Sequence, residues 1–312
     1  MSGLQNHSFI NSIELGVGCW QWGDRVLWGY GRGYGDGDVR AAFDASLAAN
    51  VAFFDTAESY GWGKSERFLG EFVRASGKHV VVATKFMPYP WRLRRGDLLK
   101  ALRHSLDRLG LKRVDLYQVH WPWPPVSIET WMGAMADAVE AGLARAVGVS
   151  NFNVEQTRRA YTALAQRGLR LVSNQVPYSL LNRRVEQSGL LALCQELGVK
   201  LIAYSPLEKG VLSGKYSPDN PPPGLRRGIY NRAYMTRIQP LISLLHNIGQ
   251  ARGGKTPAQV ALNWLICKGA LPIPGAKNAE QAAQNAGAAG WRLTAGEVAG
   301  LEAASEKVMY GG

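Results

Sequence analysis

No stretch of this 312-residue chain approaches the ~18 to 20 consecutive apolar residues of a membrane-spanning helix, so a membrane is not an expected partner. The first residues, Met1 to Ile10, are polar and lack the apolar segment of a secretory signal. Cysteine is nearly absent: Cys19, Cys194 and Cys267 are odd in number and far apart, which fits neither a disulfide framework nor a zinc site. No bound metal is expected, and the cytoplasm, a reducing compartment, is the expected location. Acidic residues are short too, 24 against 36 lysines and arginines, for a net charge of +12. That balance invites a nucleic-acid reading. Yet the densest basic run, Trp91-Arg-Leu-Arg-Arg95, is short and unrepeated, and no helix-turn-helix or RNA-binding motif accompanies it. No nucleic-acid partner is expected; a solvated basic face with some attraction for a phosphorylated cofactor remains.

The chain is 46% hydrophobic, enough for one large core. Short apolar runs fall at 13–18, 51–54, 80–84, 114–119, 144–149, 171–176, 199–204 and 270–274. Between or after them, helical periodicity marks 38–49, 64–75, 97–109, 127–141, 153–167, 187–197, 257–267 and 279–287. Alternating strands and helices make a parallel sheet, and eight such units predict an α/β protein of the (β/α)8 TIM-barrel class, one domain spanning 1–312. The open doubly wound sheet is the alternative. Its dinucleotide turn needs a third glycine and a helix start, which Gly16-Val17-Gly18 followed by Cys-Trp-Gln lacks. Asn151-Phe-Asn-Val-Glu155 and Thr256-Pro257 supply helix-start signals. The stretch from Ser205 to Lys255 is too long for an ordinary connection; it predicts a long loop after strand 7, around 217–228, and an extra helix near 235–251. A second extra helix is expected at roughly 295–306.

Four polar residues fall where apolar runs give way to loops: Asp55, Tyr60, Lys85 and His120. Singly, each has a plain reading as a helix cap, a surface lysine or a packed ring. Together they place reacting groups at the carboxyl ends of successive barrel strands. A phenol with an ordinary pKa near 10 exchanges protons poorly at neutral pH unless a cation stabilises its phenolate, and Lys85 can supply that cation. Asp55 would keep Lys85 charged, and His120 would orient a carbonyl oxygen or relay a proton. A Schiff-base aldolase or isomerase built on Lys85 is the competing chemistry, but it gives Tyr60 no role.

The segments Asp55-Thr-Ala-Glu-Ser-Tyr60-Gly-Trp-Gly-Lys-Ser-Glu66-Arg-Phe-Leu-Gly70, Ala83-Thr-Lys85, Val114-Asp-Leu-Tyr-Gln-Val-His120, Gly148-Val-Ser-Asn151, Asn174-Gln175 and Ala203-Tyr-Ser-Pro-Leu207 resemble the aldo-keto reductase superfamily. The resemblance runs from about Glu14 to Leu301, and within the superfamily it is to cyanobacterial and plant oxidoreductases and, less closely, to pyridoxal reductases. It implies NADPH bound without a Rossmann domain and hydride transfer to an aldehyde or ketone, a small-molecule carbonyl substrate. It assigns Tyr60 as general acid, Lys85 and Asp55 as the pair that lowers its pKa, and His120 as the residue orienting the carbonyl. An NADPH-binding redox sensor or regulatory subunit with little turnover is the alternative within the same resemblance.

Cofactor contacts implied by position are Ser150, Asn151 and Gln175 to the nicotinamide amide, Tyr204 stacked on its ring, and Gly18, Cys19 and Trp20 on the ribose and nicotinamide side. Ser205, Pro206, Leu207, Gly210 and Leu212 lie where the family wraps the pyrophosphate. Gly275, Ala276, Lys277, Gln281 and Asn285 match the adenosine-phosphate segment, with Lys277 suited to a 2′-phosphate. At Gln281 the family's commoner pattern has an arginine. Ten tryptophans are present, and Trp20, Trp22, Trp28, Trp62, Trp121 and Trp123 lie in segments that should reach the catalytic rim, some of them only to pack loops. Trp22, Trp28 and Trp121 are expected to wall the substrate pocket. Because the chain stops at Gly312 soon after its last predicted helix, a fairly open site is expected.

Overall fold

Side chains alternate between the two faces of a strand, so residues two apart along one strand enter the same space. The computed structural model, which describes residues 8–223 and 226–310, shows what that alternation builds. Residues 1–7 of the polar N-terminus, Gly224 and Leu225 of the long loop, and residues 311–312 lie outside the described residues. The strands are β1 (Val17–Gly18), β2 (Phe53–Asp55), β3 (Val81–Phe86), β4 (Val114–Val119), β5 (Ala144–Ser150), β6 (Leu171–Pro177), β7 (Lys200–Tyr204) and β8 (Leu271–Pro272). They pair in parallel in chain order. The sheet closes on itself: the Gly16 and Gly18 amides donate to the carbonyls of Pro272 (3.0 Å) and Pro274 (3.1 Å), and Gly18 bridges Gly275. The expected (β/α)8 barrel is therefore the observed fold. β1 and β8 are shorter than their apolar runs because Pro272 and Pro274 have no N–H to give to a ladder.

The helices are α1 (Asp36–Ala48), α2 (Lys64–Ser76), α3 (Arg95–Leu109), α4 (Ile128–Glu140), α5 (Val154–Ala165), α6 (Arg184–Gln187), α7 (Leu190–Leu197), α8 (Arg226–Ile229), α9 (Arg232–Ala251), α10 (Pro257–Cys267), α11 (Ala279–Ala286) and α12 (Ala295–Tyr310). Their starts follow local chemistry. Asn153 accepts from the Gln156 amide (2.9 Å) while Gln156 returns a bond to the Asn153 amide, and Thr256 and Gln259 repeat this reciprocal cap ahead of Pro257. The two extra helices are α9 and α12, which pack against each other outside the barrel.

Two large apolar clusters make up most of the core. Inside the barrel, Phe53, Val81, Ala83, Leu116, Ala146, Val172, Ile202 and Leu271 meet Ile10, which comes from the N-terminal turn Ser8–Ile10. These are the early residues of their strands, so this cluster fills the end of the barrel away from the strand exits. Outside it, the larger cluster binds the helices to the sheet, with Phe43, Trp131, Tyr178 and Trp264 fully buried. A buried ionic contact ties α2 to α3 across this outer layer. Glu66 on α2, fully buried, accepts from Thr84 Oγ1 (2.6 Å) and from Arg108 Nε on α3 (2.6 Å). Removing Arg108 leaves that carboxylate without its cation. Arg108→Ala is expected to cost roughly 3 kcal/mol, the lower part of the range for breaking a buried pair because Arg108 is itself partly exposed. The urea unfolding midpoint measures this, and adding Glu66→Gln should recover part of the loss.

Candidate active site

The same alternation that packs the barrel floor aims the polar residues at its opposite end. Phe53 is followed two residues on by Asp55, Val81 and Ala83 by Lys85, and Leu116 by Gln118 and then His120. Asp55, Lys85, Gln118 and Gln175 form a buried polar layer above the apolar cluster. Lys85 Nζ is ion-paired with Asp55 Oδ1 and donates to the Thr56 carbonyl (2.9 Å) and the Tyr60 hydroxyl (3.2 Å). The other Asp55 oxygen accepts from Gln118 Nε2 and Gln175 Nε2, each at 2.9 Å. Lys85 lies one residue inside the end of β3 and Asp55 is the last residue of β2, slightly deeper than their expected place just past the strands.

Burial alone would pull the Lys85 ammonium below its usual value, but the Asp55 carboxylate and the Tyr60 oxygen outweigh it, and its pKa is raised. Tyr60 departs from the expectation. Burial pushes its phenol up; Lys85 pulls it down and Asp55 pushes it up again, and the net direction is upward. Tyr60 is therefore held as the neutral phenol, with the Lys85 ammonium against its oxygen. The Tyr60 ring stands edge-on to His120, 5.8 Å between centroids. Burial, and secondarily the Lys85 charge, lowers the His120 pKa to about 3, so the imidazole is neutral. Its Nδ1 is buried without a partner, while the residue as a whole stays partly open to the adjoining cavity.

That cavity holds about 780 Å³ and runs from Asp55, Tyr60 and His120 past the ends of β5, β6 and β7 to the β8 exit. Of the positions expected to hold cofactor, it is lined by Gly18, Trp20, Ser150, Asn151, Gln175, Tyr204, Ser205, Pro206, Leu207, Gly210, Gly275, Lys277, Gln281 and Asn285. Cys19, Leu212 and Ala276 are fully buried and do not line it. Trp28 and Trp121 wall the cavity, as does Trp20, which stacks on Tyr60 at 6.0 Å. Trp22 does not: its indole is fully buried against Phe54 and Phe72, and its N–H donates to the Ala276 carbonyl. Trp62 and Trp123 reach the rim region but are exposed and line no part of the cavity.

Past the strand ends the backbone turns sharply. Asn151, Ser205, Glu208 and Lys209 all have φ between 46° and 64°, the left-handed region that non-glycine residues seldom adopt, and Gly210 follows at 91°. Asn151 is fixed there as a brace, its amide donating to the His120 carbonyl (3.0 Å) and to Ser150 Oγ (3.1 Å) while its oxygen accepts from Tyr204 (3.0 Å). At the far end three lysines, Lys209, Lys215 and Lys277, line the cavity with Glu280. Lys277 spans it, donating to the Trp28 carbonyl (2.9 Å) and lying over the Tyr34 ring (4.4 Å), and Gln281 accepts from the Lys277 amide (3.0 Å). Gln118, Gln21, Lys209, Lys215 and Tyr216 were not anticipated from the sequence. Gln118 had a legible signal, since it is in phase with Leu116 and His120 on one strand. No metal-binding cluster occurs among the described residues, and none of their helices is long and apolar enough to cross a membrane.

A model of the Aldo/keto reductase family matches residues 14–306. The chloroplastic pyridoxal reductase of Arabidopsis thaliana is 43% identical over 96% of this chain and 84% of its own length. An uncharacterized oxidoreductase of Mycobacterium tuberculosis is 40% identical over 90% of this chain and 86% of its own. Among solved structures, an aldo/keto reductase from Klebsiella pneumoniae in complex with NADP and acetate superposes with a TM-score of 0.74 at 30% identity, covering 93% of this chain and 90% of that one.

The displaced His120 pKa has a consequence for stability. The folded protein holds His120 near 3 against 6.5 for the free side chain. As pH falls below 6.5 the unfolded chain takes up a proton that the folded chain refuses, so this group costs stability progressively down to about 3 and costs nothing above 6.5. Urea midpoints taken at about pH 7 and about pH 5 should drop more in the native protein than in His120→Gln. Equal drops would contradict the buried neutral imidazole.

Proposed function

The chain belongs to the aldo/keto reductase family, and from that premise we propose that this oxidoreductase uses NADPH to reduce aldehydes and ketones, small or aromatic, to alcohols. The observation that carries the reading is the Asp55–Lys85–Tyr60 chain opening into a cavity whose far end is lined by lysines. The donor set fits the cofactor. Ser150, Asn151 and Gln175 offer amide and hydroxyl groups for a carboxamide, and Tyr204 offers a ring face. Ser205, Leu207 and Gly210 bring backbone close to where a pyrophosphate would lie, with Lys209 and Lys215 beside them. Lys277, just before the start of α11, combines an ammonium with a helix N-terminus and suits a 2′-phosphate. When bound, NADPH supplies the hydride.

The residues do the rest. Neutral His120 and Tyr60 both line the cavity with their rings 5.8 Å apart, and between them they orient a carbonyl oxygen. Tyr60 gives its proton to that oxygen, and Lys85, kept cationic by Asp55, stabilises the phenolate that remains. Trp20, Trp28 and Trp121 present flat apolar faces and favour a planar substrate. The kinship to a pyridoxal reductase puts pyridoxal in the first substrate panel, beside methylglyoxal and nitrobenzaldehyde.

Tyr60→Phe is expected to lower kcat by ~10² to 10⁴, the usual worth of a positioned acid, with NADPH affinity nearly intact. Steady-state kinetics on the aldehyde panel together with an NADPH fluorescence titration measure both; unchanged turnover would remove Tyr60 from the mechanism.

A further inference from the structure

Tyr60 opens a short 3₁₀ turn, Tyr60–Gly63, in the connection that follows β2, and its oxygen lies 3.2 Å from Lys85 on the neighbouring strand. Beyond the last residue of β2 the chain does not swing free. The Thr56 amide donates to the Ala83 carbonyl (2.9 Å) and the Glu58 amide reaches the Lys85 carbonyl (3.5 Å), so residues 56–58 continue alongside β3. The next rung is made by a side chain: the Met87 amide donates to Glu58 Oε1 at 2.7 Å. A carboxylate replaces a main-chain carbonyl there, and Tyr60 is two residues further on, its amide turned back to the Ala57 carbonyl (3.1 Å).

Arg92 holds this rung in place. Its guanidinium is ion-paired with Glu58 Oε1, donates to Oε2 (3.0 Å) and also donates to the Met87 carbonyl (2.8 Å), clasping both sides of the rung. It lies over the rings of Phe86 (5.0 Å) and Tyr89 (5.1 Å), and the two side chains are only 18% and 8% exposed. A forked guanidinium can make this paired geometry; an ammonium cannot. The same exit of β3 also serves His120, whose amide donates to the Phe86 carbonyl (2.9 Å). Tyr117 on β4 is fully buried, and the charges of Glu58, Glu66, Arg92 and Arg108 all act on it.

We infer that Glu58, clasped by Arg92, is a positioning residue that zips the Tyr60 loop to the exit of β3 and so sets the Tyr60–Lys85 and Tyr60–His120 geometry. The inference rests on Tyr60 being the proton donor. Neither Glu58 nor Arg92 lines the cavity, so their effect on the reaction passes through Tyr60 and His120.

The test compares Glu58→Ala, Glu58→Gln, Arg92→Ala and the double variant Glu58→Ala/Arg92→Ala, with rates normalised to sites that bind NADPH. Glu58→Ala should lower kcat by ~10²-fold, the effect of an ångström-scale misplacement, and shift the alkaline limb of the kcat profile, while the NADPH dissociation constant changes by less than about twofold. Glu58→Gln keeps an acceptor for the Met87 amide and should recover about tenfold of that loss. Because the pair acts as a unit, the double variant should be no slower than Glu58→Ala. If Glu58→Ala does not fold, Arg92→Lys, which keeps the charge and loses the fork, should show a smaller fall in kcat with the same limb shift. A lower melting temperature with full kcat per binding site and an unmoved alkaline limb would overturn the inference, as would additive losses in the double variant. Tyr60→Phe run in parallel separates the two readings: full turnover there removes the proton donor itself, whereas a slow Tyr60→Phe with a fast Glu58→Ala removes only the positioning role.

Discussion

The ion pair between Lys85 and Asp55 is the constraint on which the rest of the site depends. Both side chains are almost wholly removed from solvent. Burying two charges costs several kcal/mol per ion after relaxation, and their attraction offsets this only when the remaining lone pairs and protons are also satisfied. Here they are, by groups from separate parts of the barrel: Gln118 from β4, Gln175 from β6, the Thr56 carbonyl past β2 and the Tyr60 hydroxyl from its loop. No two neighbouring strands could assemble this set. The closed barrel is thus a requirement of the charge pair, and the charge pair in turn keeps a cation in contact with a phenol.

The barrel separates its tasks along its axis. Its lower half is an apolar plug that includes Ile10. Above it lies the polar layer, and above that the cavity, which grades from the half-buried Tyr60 and neutral His120 to three lysines at the far end. The two ends suit different chemistry. In the proposed reaction a neutral imidazole and a neutral phenol would avoid competing for charge where an oxygen receives a proton, and the lysines would favour the anionic part of the cofactor. Left-handed residues concentrate between them, at Asn151, Ser205, Glu208 and Lys209, where backbone strain is held by surrounding hydrogen bonds.

The architecture was legible because a closed parallel barrel writes itself as apolar runs, and the four polar residues at their ends stood out against those runs. Gln118 was harder to see, because a neutral amide inside a strand carries no charge to attract notice, although its phase with Leu116 pointed inward. Trp22 was misplaced for a physical reason: Trp20 and Trp22 lie in one loop, and only the folded path of that loop turns the first to the cavity and the second into the packing around Phe54 and Phe72. Lys209 and Lys215 reach the cavity through the reversal at 208–210, which depends on φ angles that composition does not reveal. The direction of the Tyr60 shift could not be read either. Listing a lysine and an aspartate beside a tyrosine gives the two charges, but burial, the largest influence on that phenol, exists only in three dimensions.

The central claim is that reduction draws its proton from a neutral phenol beside a permanently charged lysine, with the histidine uncharged. The pH dependence of the single-turnover rate of NADPH oxidation by nitrobenzaldehyde tests it most directly. The account predicts a rate that stays level through neutral pH and declines only above 10.0, the ordinary phenol value, because burial holds Tyr60 protonated beyond it. A rate that changes through about 6.5, the ordinary imidazole value, would contradict it and make a titrating histidine the proton donor.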